Sequence, residues 1–142
     1  AKAAELGHFI VEKNGALCKC GRRGCLETKV SYNALCEIAP FAEEHFGEMF
    51  IQNQGNAIGT QFMEAMDLFA RSIVNSATIM APNRIILTGC LFENPCVREA
   101  LIAACSSYDT SLGSDRIQYS GLAQKEHYIG PVAICAKMLL YS

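Results

Sequence analysis

Three cysteines crowd into the string Cys18-Lys-Cys-Gly-Arg-Arg-Gly-Cys25, and His8 precedes the first of them by ten positions. Three sulfurs and one imidazole are a donor set that zinc accepts in tetrahedral geometry. A site whose four positions are all filled by protein holds the ion for structure rather than for hydrolysis. Gly21 and Gly24 allow the tight backbone turns that bring the sulfurs together. Lys13, Lys19, Arg22, Arg23 and Lys29 outnumber Glu27 around the loop, a surplus of positive charge that favours thiolates. A disulfide between two of the cysteines, or free reactive thiols, remain as alternatives, although a Cys-x-Cys pair makes a poor disulfide. Taken singly, the basic residues read as a solvated rim.

Two carboxylates bracket this loop. Glu5 stands three residues before His8, and Glu27 two residues after Cys25. Held with His8 on one wall, they would suit a polyhydroxy ligand, because carboxylates accept hydrogen bonds from hydroxyl groups directionally. Read separately, Glu27 is a first-turn helix acid favoured by the macrodipole and Glu5 a solvated strand end. Cys36, Cys90, Cys96, Cys105 and Cys135 fall on or beside apolar faces and read as small buried hydrophobes. His45 and His127 stand among residues that bind no metal and read as surface or satisfied histidines.

The elements that must position these groups follow from periodicity. Residues 5–11 read as a short extended segment, closed by the turn residues Lys13-Asn14-Gly15. A helix is expected from Leu26 to Ile38 on the spacing of Leu26, Val30, Ala34 and Leu35, ending before Pro40. A weaker helical piece spans Phe41 to Phe50. Ile58, Phe62, Met66, Phe69, Ile73, Ala77 and Met80 lay one apolar stripe down a long helix, opposite Gln61, Glu64, Asp67 and Arg71, and Pro82-Asn83 stops it. Arg84 to Thr88 is a β-branched run that breaks at Gly89, as a buried strand does. Asn94-Pro95 opens a helix whose inward face is Val97, Leu101 and Ala104. Arg116 to Ser120 alternates like a strand, and residues 128–141 close the chain as an apolar helix with Gly130-Pro131 in its first turn. Alternating helices and strands imply an α/β layer structure.

The chain has 142 residues, 51% of them hydrophobic and 18% charged, which suits one globular domain over residues 1–142 and excludes disorder. A net charge of −2 provides no overall basic field for nucleic acid, and no apolar run reaches the roughly 20 residues of a membrane span. No charged and then apolar leader opens the chain, so a cytoplasmic location is expected. No internal repeat or low-complexity tract interrupts it.

Glu5-Leu-Gly-His8, followed by Cys18-x-Cys20-Gly-x-x-Gly-Cys25-Leu-Glu27, resembles the signature of the ROK family (repressor, open reading frame, kinase), which unites bacterial sugar kinases with sugar-responsive transcriptional regulators. The long helix ending at Pro82, Ile85-Ile-Leu-Thr-Gly89 and Gly130-Pro-Val-Ala133 resemble the rest of the family's C-terminal half more weakly. The resemblance implies a structural zinc on His8, Cys18, Cys20 and Cys25, and a monosaccharide facing Glu5, His8 and Glu27. His8 would serve both, with one ring nitrogen on the metal and the other toward a sugar hydroxyl. The implied fold is an actin-like pair of ribonuclease H lobes, this chain being most of the second. The first lobe and the phosphate hairpin would lie upstream.

Two departures from the family pattern stand out. Ala4 replaces a glycine before the first glutamate, and Gly89-Cys90 replaces a glycine pair or triplet after the nucleotide-side strand, where a Cys90 side chain narrows the approach of a nucleotide to the backbone. Gly89 is the expected nucleotide contact in this chain. No catalytic residue is assigned here, since the kinases' aspartate base belongs to the first lobe and magnesium-ATP would bind the full-length protein. The first expectation is therefore the sugar-binding effector lobe of a homodimeric transcriptional regulator, with DNA contacted only through an upstream winged-helix segment. The second is the C-terminal lobe of an ATP-dependent hexose or N-acetylhexosamine kinase. A zinc-stapled interaction module without sugar binding is the third.

Overall fold

The computed structural model of the chain describes residues 5–121. The expected closing helix over 128–141, together with Ala4, His127, Gly130-Pro131 and Cys135, lies outside the described residues. A 3-10 turn, Leu6–His8, leads into the cysteine loop. It is followed by helices α1 (Glu27–Val30), α2 (Tyr32–Ile38), α3 (Phe46–Gln52) and α4 (Ala57–Met80), strand β1 (Ile85–Leu87), helix α5 (Pro95–Tyr108) and strand β2 (Ile117–Tyr119). Further 3-10 turns, Glu43–His45 and Cys90–Phe92, precede α3 and follow β1.

The helical piece expected over Phe41–Phe50 starts only at Phe46 and runs to Gln52, after the turn Glu43–His45, and two further elements differ from the expectation for local reasons. Residues 5–11 are not extended throughout. The backbone N–H groups of His8 and Phe9 donate to the carbonyls of Glu5 and Leu6 at 3.1 and 3.0 Å, and extended pairing is confined to the bridge between Ile10 and Cys25. The turn places Glu5 and His8 on one side, where an extended chain would not bring their side chains together. The helix expected from Leu26 to Ile38 is broken at Ser31, whose backbone is extended (ψ 159°) and whose hydroxyl accepts from the Ala34 N–H at 3.3 Å. A serine that bonds the backbone ahead of it starts a new helix rather than continuing the old one.

Elsewhere the apolar pattern is obeyed. Asn56 caps α4 by accepting from the Gly59 N–H at 2.9 Å, and Phe62, Met66, Phe69, Ile73 and Ala77 are buried along its stripe. Burying each large side chain contributes roughly 1.5–3 kcal/mol. The helix ends with Ala81 in the left-handed region (φ 44°), just before Pro82. The strands β1 and β2 pair in parallel, with Ile85 opposite Ile117 and Leu87 opposite Tyr119, and α5 is the crossover between them. The inward face of α5 is Val97, Leu101 and Cys105, each fully buried, with Cys105 in place of the expected Ala104, which is half-buried beside it, and α5 packs on α4. Leu26 is also fully buried and joins this core, tying the end of the cysteine loop to the body. Of the scattered cysteines, Cys105 is buried as expected. Cys36 and Cys90 are half-buried, and Cys96 is exposed because it sits in the first turn of α5, outside the inward stripe.

Candidate metal centre

Short backbone pairings build the loop between the first turn and α1. Val11 N–H donates to Gly24 O at 2.8 Å, Gly24 N–H to Ala16 O at 2.9 Å, and Cys18 N–H to Arg22 O at 2.8 Å. Residues 22–25 therefore run between the two preceding segments, with Ile10 bridged to Cys25 and Leu17 to Arg23. Gly24 is obligatory there. Its φ is +74°, and a Cβ would collide with the backbone carbonyl of Glu12.

This folding brings together all four of the sulfur and imidazole residues singled out in the sequence. The candidate donor atoms of His8, Cys18, Cys20 and Cys25 lie within 4.8 Å of one another. Cys20 and Cys25 Sγ are 3.6 Å apart, and Cys18 Sγ is 3.6 Å from His8 Nδ1. With zinc bonds of about 2.0–2.3 Å, tetrahedral geometry separates such donor pairs by about 3.5–3.8 Å, so the residues present fit the ion. All three cysteines are free thiols.

The two bracketing carboxylates also arrive at this cluster, both on His8. Glu5 Oε2 is 2.8 Å from His8 Nε2, and Glu27 Oε2 is 3.5 Å from His8 Nδ1. Of the two ring nitrogens of His8, expected to divide between metal and sugar hydroxyl, Nδ1 faces Cys18 and Nε2 faces Glu5. The second nitrogen already bonds Glu5, an outer partner of the kind that fixes the tautomer and orientation of a metal-binding imidazole. Glu27 Oε2 also lies 3.9 Å from Cys18 Sγ, and the residue occupies the first turn of α1, so the helix-acid and site readings hold together.

The thiols are electrostatically unequal. The backbone N–H of Arg22 and then its guanidinium, both donating to Cys20, pull that thiol down to about 6. Burial and then the hydrogen bond with Cys20 push Cys25 up to about 12. A divalent ion bound there would have to displace the proton that burial favours on Cys25. Arg22, which sequence reading assigned to the solvated rim, is therefore a partner of the cluster. Another overlooked residue is Glu12, whose carbonyl abuts Gly24 and whose carboxylate pairs with Lys29 at 2.9 Å. Neither has a spacing signature, because both act through backbone turns.

Gly89 stands apart in the chain, after β1. Its φ of +100° with ψ 161° is a conformation for glycine alone, and no atom of the described residues lies within 4 Å of the place a Cβ would occupy. The turn Cys90–Phe92 that follows is held by Arg98, which donates to the carbonyls of Phe92 and Glu93 at 2.8 and 2.6 Å and lies 4.7 Å over the Tyr119 ring. Burial, and then the charge of Glu43, push the Cys90 thiol up.

The ROK family profile matches residues 1–137, and the chain belongs to the ROK family. Its curated relatives include both branches. A segment of 32 residues is 59% identical to a glucokinase of Thermotoga maritima, covering 22% of this chain and 10% of that one. An alignment over 141 residues is 28% identical to the xylose repressor of Bacillus subtilis, covering 93% of this chain and 36% of the repressor. An N-acetylmannosamine kinase of Vibrio cholerae is 31% identical over 84 residues, covering 59% and 24% of the two chains. The chain therefore spans about a third or less of the length of these relatives.

Among solved structures, a ROK hexokinase from Thermus thermophilus superposes with a TM-score of 0.66 at 21% identity, over 84% of this chain and 43% of that one. A ROK family transcriptional regulator, a homologue of the Escherichia coli MLC protein, does so with a TM-score of 0.59 at 16% identity, over 80% and 33%. Both support the mixed α/β fold. No helix among the described residues is long and apolar enough to cross a membrane.

Proposed function

We propose that residues 1–142 are a single domain, most of the C-terminal lobe of a ROK protein, and that this lobe binds a monosaccharide beside a structural zinc. His8, Cys18, Cys20 and Cys25 hold the ion, which supplies a fixed point for the loop and no reaction step. Glu5, His8 and Glu27 form the wall that accepts sugar hydroxyls. The observation that carries this reading is the convergence of both carboxylates on the imidazole whose Nδ1 faces the sulfur cluster.

The whole protein is then a sugar-responsive transcriptional regulator. Sugar binding biases a homodimer between DNA-binding and released states, and DNA is touched only by an upstream winged-helix segment. Support comes from the xylose repressor, whose alignment covers 93% of this chain, and from Cys90, which follows Gly89 where kinases of the family carry further glycines. The dimer draws on α4, where Met63 and Ile79 are exposed, and the protein works in the cytoplasm. Calorimetry on the full-length protein tests this. Monosaccharide binding without magnesium-ATP binding is the expected result, and ATP-dependent phosphorylation of the sugar overturns it.

One observation favours a second reading, an ATP-dependent hexose or N-acetylhexosamine kinase. The open space above Gly89 leaves the backbone approachable by a nucleotide, with the catalytic aspartate supplied by the other lobe. An upstream Asp-x-Gly-x-Thr phosphate loop at the start of the full-length sequence supports the kinase, and a helix-turn-helix pattern there supports the regulator.

A further inference from the structure

Within the four-residue cluster the sulfurs differ in exposure and in partner. Cys25 is fully buried and Cys18 nearly so, whereas Cys20 is partly exposed. Cys20 and Cys25 Sγ are in contact at 3.6 Å, while Cys18 Sγ contacts His8 Nδ1 and Glu27 Oε2. Gly21, beside Cys20, has a positive φ of +87°, and no atom of the described residues lies within 4 Å of the place a Cβ would occupy. Closing the pair to a disulfide requires the sulfurs to approach from 3.6 Å to about 2.05 Å.

We propose that Cys20 and Cys25 are a peroxide-reactive dithiol, a modification site whose disulfide takes two of the four donors away from the metal. Hydrogen peroxide reaches the partly exposed Cys20. Its thiolate attacks one peroxide oxygen, the O–O bond breaks, and Cys20 becomes a sulfenic acid while the departing hydroxide takes a proton to form water. The Cys25 sulfur, giving up its proton, then attacks the Cys20 sulfur. The S–S bond forms as the S–O bond breaks, and the second hydroxide leaves as water after protonation. Two electrons pass from the two sulfurs to one peroxide. Only His8 and Cys18 of the four then remain as donors, and the ion is released. Cys96, exposed and without a neighbouring sulfur among the contacts described, oxidises without forming a link within the chain.

The dithiol rests on sulfur geometry, and its consequence for the metal rests on the zinc reading above. Full-length protein, purified reduced and with its zinc content measured at the outset, is titrated with hydrogen peroxide. A chromogenic chelator and non-reducing peptide mapping follow the reaction. The expected result is a Cys20–Cys25 link that appears mole for mole with released zinc, both reversed by a thiol reductant with added zinc. A link that includes Cys18, a sulfinic acid on Cys20 without any link, or zinc retained at the dose that oxidises Cys96 overturns the proposal. If the starting protein carries no zinc, the metal reading fails by itself, and the same peptides still decide the dithiol by the presence or absence of the Cys20–Cys25 link. In a Cys25→Ser variant the sulfenic acid on Cys20 persists and reacts with dimedone. Should that variant not fold, the mapping of the unaltered protein decides alone.

Discussion

The cysteine loop and the helical body achieve order by different means. The body around α4 and α5 has a continuous apolar core, with Phe62, Leu87, Val97, Leu101 and Ile117 almost wholly removed from water. The loop over residues 8–25 has two isolated bridges, a few backbone hydrogen bonds and outward-facing Phe9, Ile10 and Leu17. Burial suffices for the first region. In the second, the polar atoms of His8, Cys18, Cys20 and Cys25 take the place of a core, and a bound cation is the agent able to tie them together. The candidate site thus sits in the region with the smaller apolar core.

The sharpest way to break this contrast is to remove the metal. Structural zinc in small motifs contributes binding free energy of about 10–16 kcal/mol, so chelation should speed amide exchange over residues 8–27 by orders of magnitude while α4 and α5 stay protected. Uniform loosening measured by hydrogen exchange would show that the two regions are one unit. The converse perturbation is Leu101→Ala, which leaves a cavity between α5 and the core. It should destabilise the body by about 2–5 kcal/mol in denaturant titration with the zinc content unchanged.

A finer cut separates the sugar wall from the metal. Glu27→Gln removes a charged acceptor and should weaken monosaccharide binding by about 10-fold or more in calorimetry, with zinc content and melting temperature preserved. Equal loss of zinc would make Glu27 a support of the cluster instead. On the body side, Asn94→Ala removes the side chain that accepts from the Cys96 N–H at 2.8 Å and should cost about 1 kcal/mol, without effect on metal or sugar.

The smallest effect joins α4 to α5. The hydrogen bond from Tyr108 to Asp67 at 2.6 Å holds the phenol above its ordinary value. Because the folded value is raised, the contribution of this bond to stability is complete below the unfolded tyrosine pKa and is lost as pH rises through the higher folded one. Ultraviolet titration should show Tyr108 titrating late, as Tyr32 also does beside Cys36, and Asp67→Asn should return Tyr108 alone toward the ordinary range.

How legible these regions were follows from the range of the interactions. The stripe from Ile58 to Met80 and the capped start at Asn94-Pro95 depend on neighbours three or four residues away, so periodicity located them. The break at Ser31 was hidden because the same residues satisfy a helical pattern on both sides of it, and only a local hydroxyl bond decides between continuing and restarting. The turn at Leu6–His8 was hidden for a related reason, since three residues are too few to carry a period. Arg22 and Cys20 meet through a backbone turn that spacing does not encode.

Composition and order along the chain determined which atoms were available: three sulfurs, an imidazole and two carboxylates, separated by glycines that permit tight turns. They also determined the long helices, whose apolar faces repeat within a few residues. Tertiary structure alone decided that both carboxylates reach the same imidazole, that Cys20 rather than Cys25 meets solvent, and that Arg22 stands over one sulfur. The reason is physical. Donor identity is a property of each residue, whereas distance, exposure and charge at a sulfur are set by how segments remote in sequence are brought together.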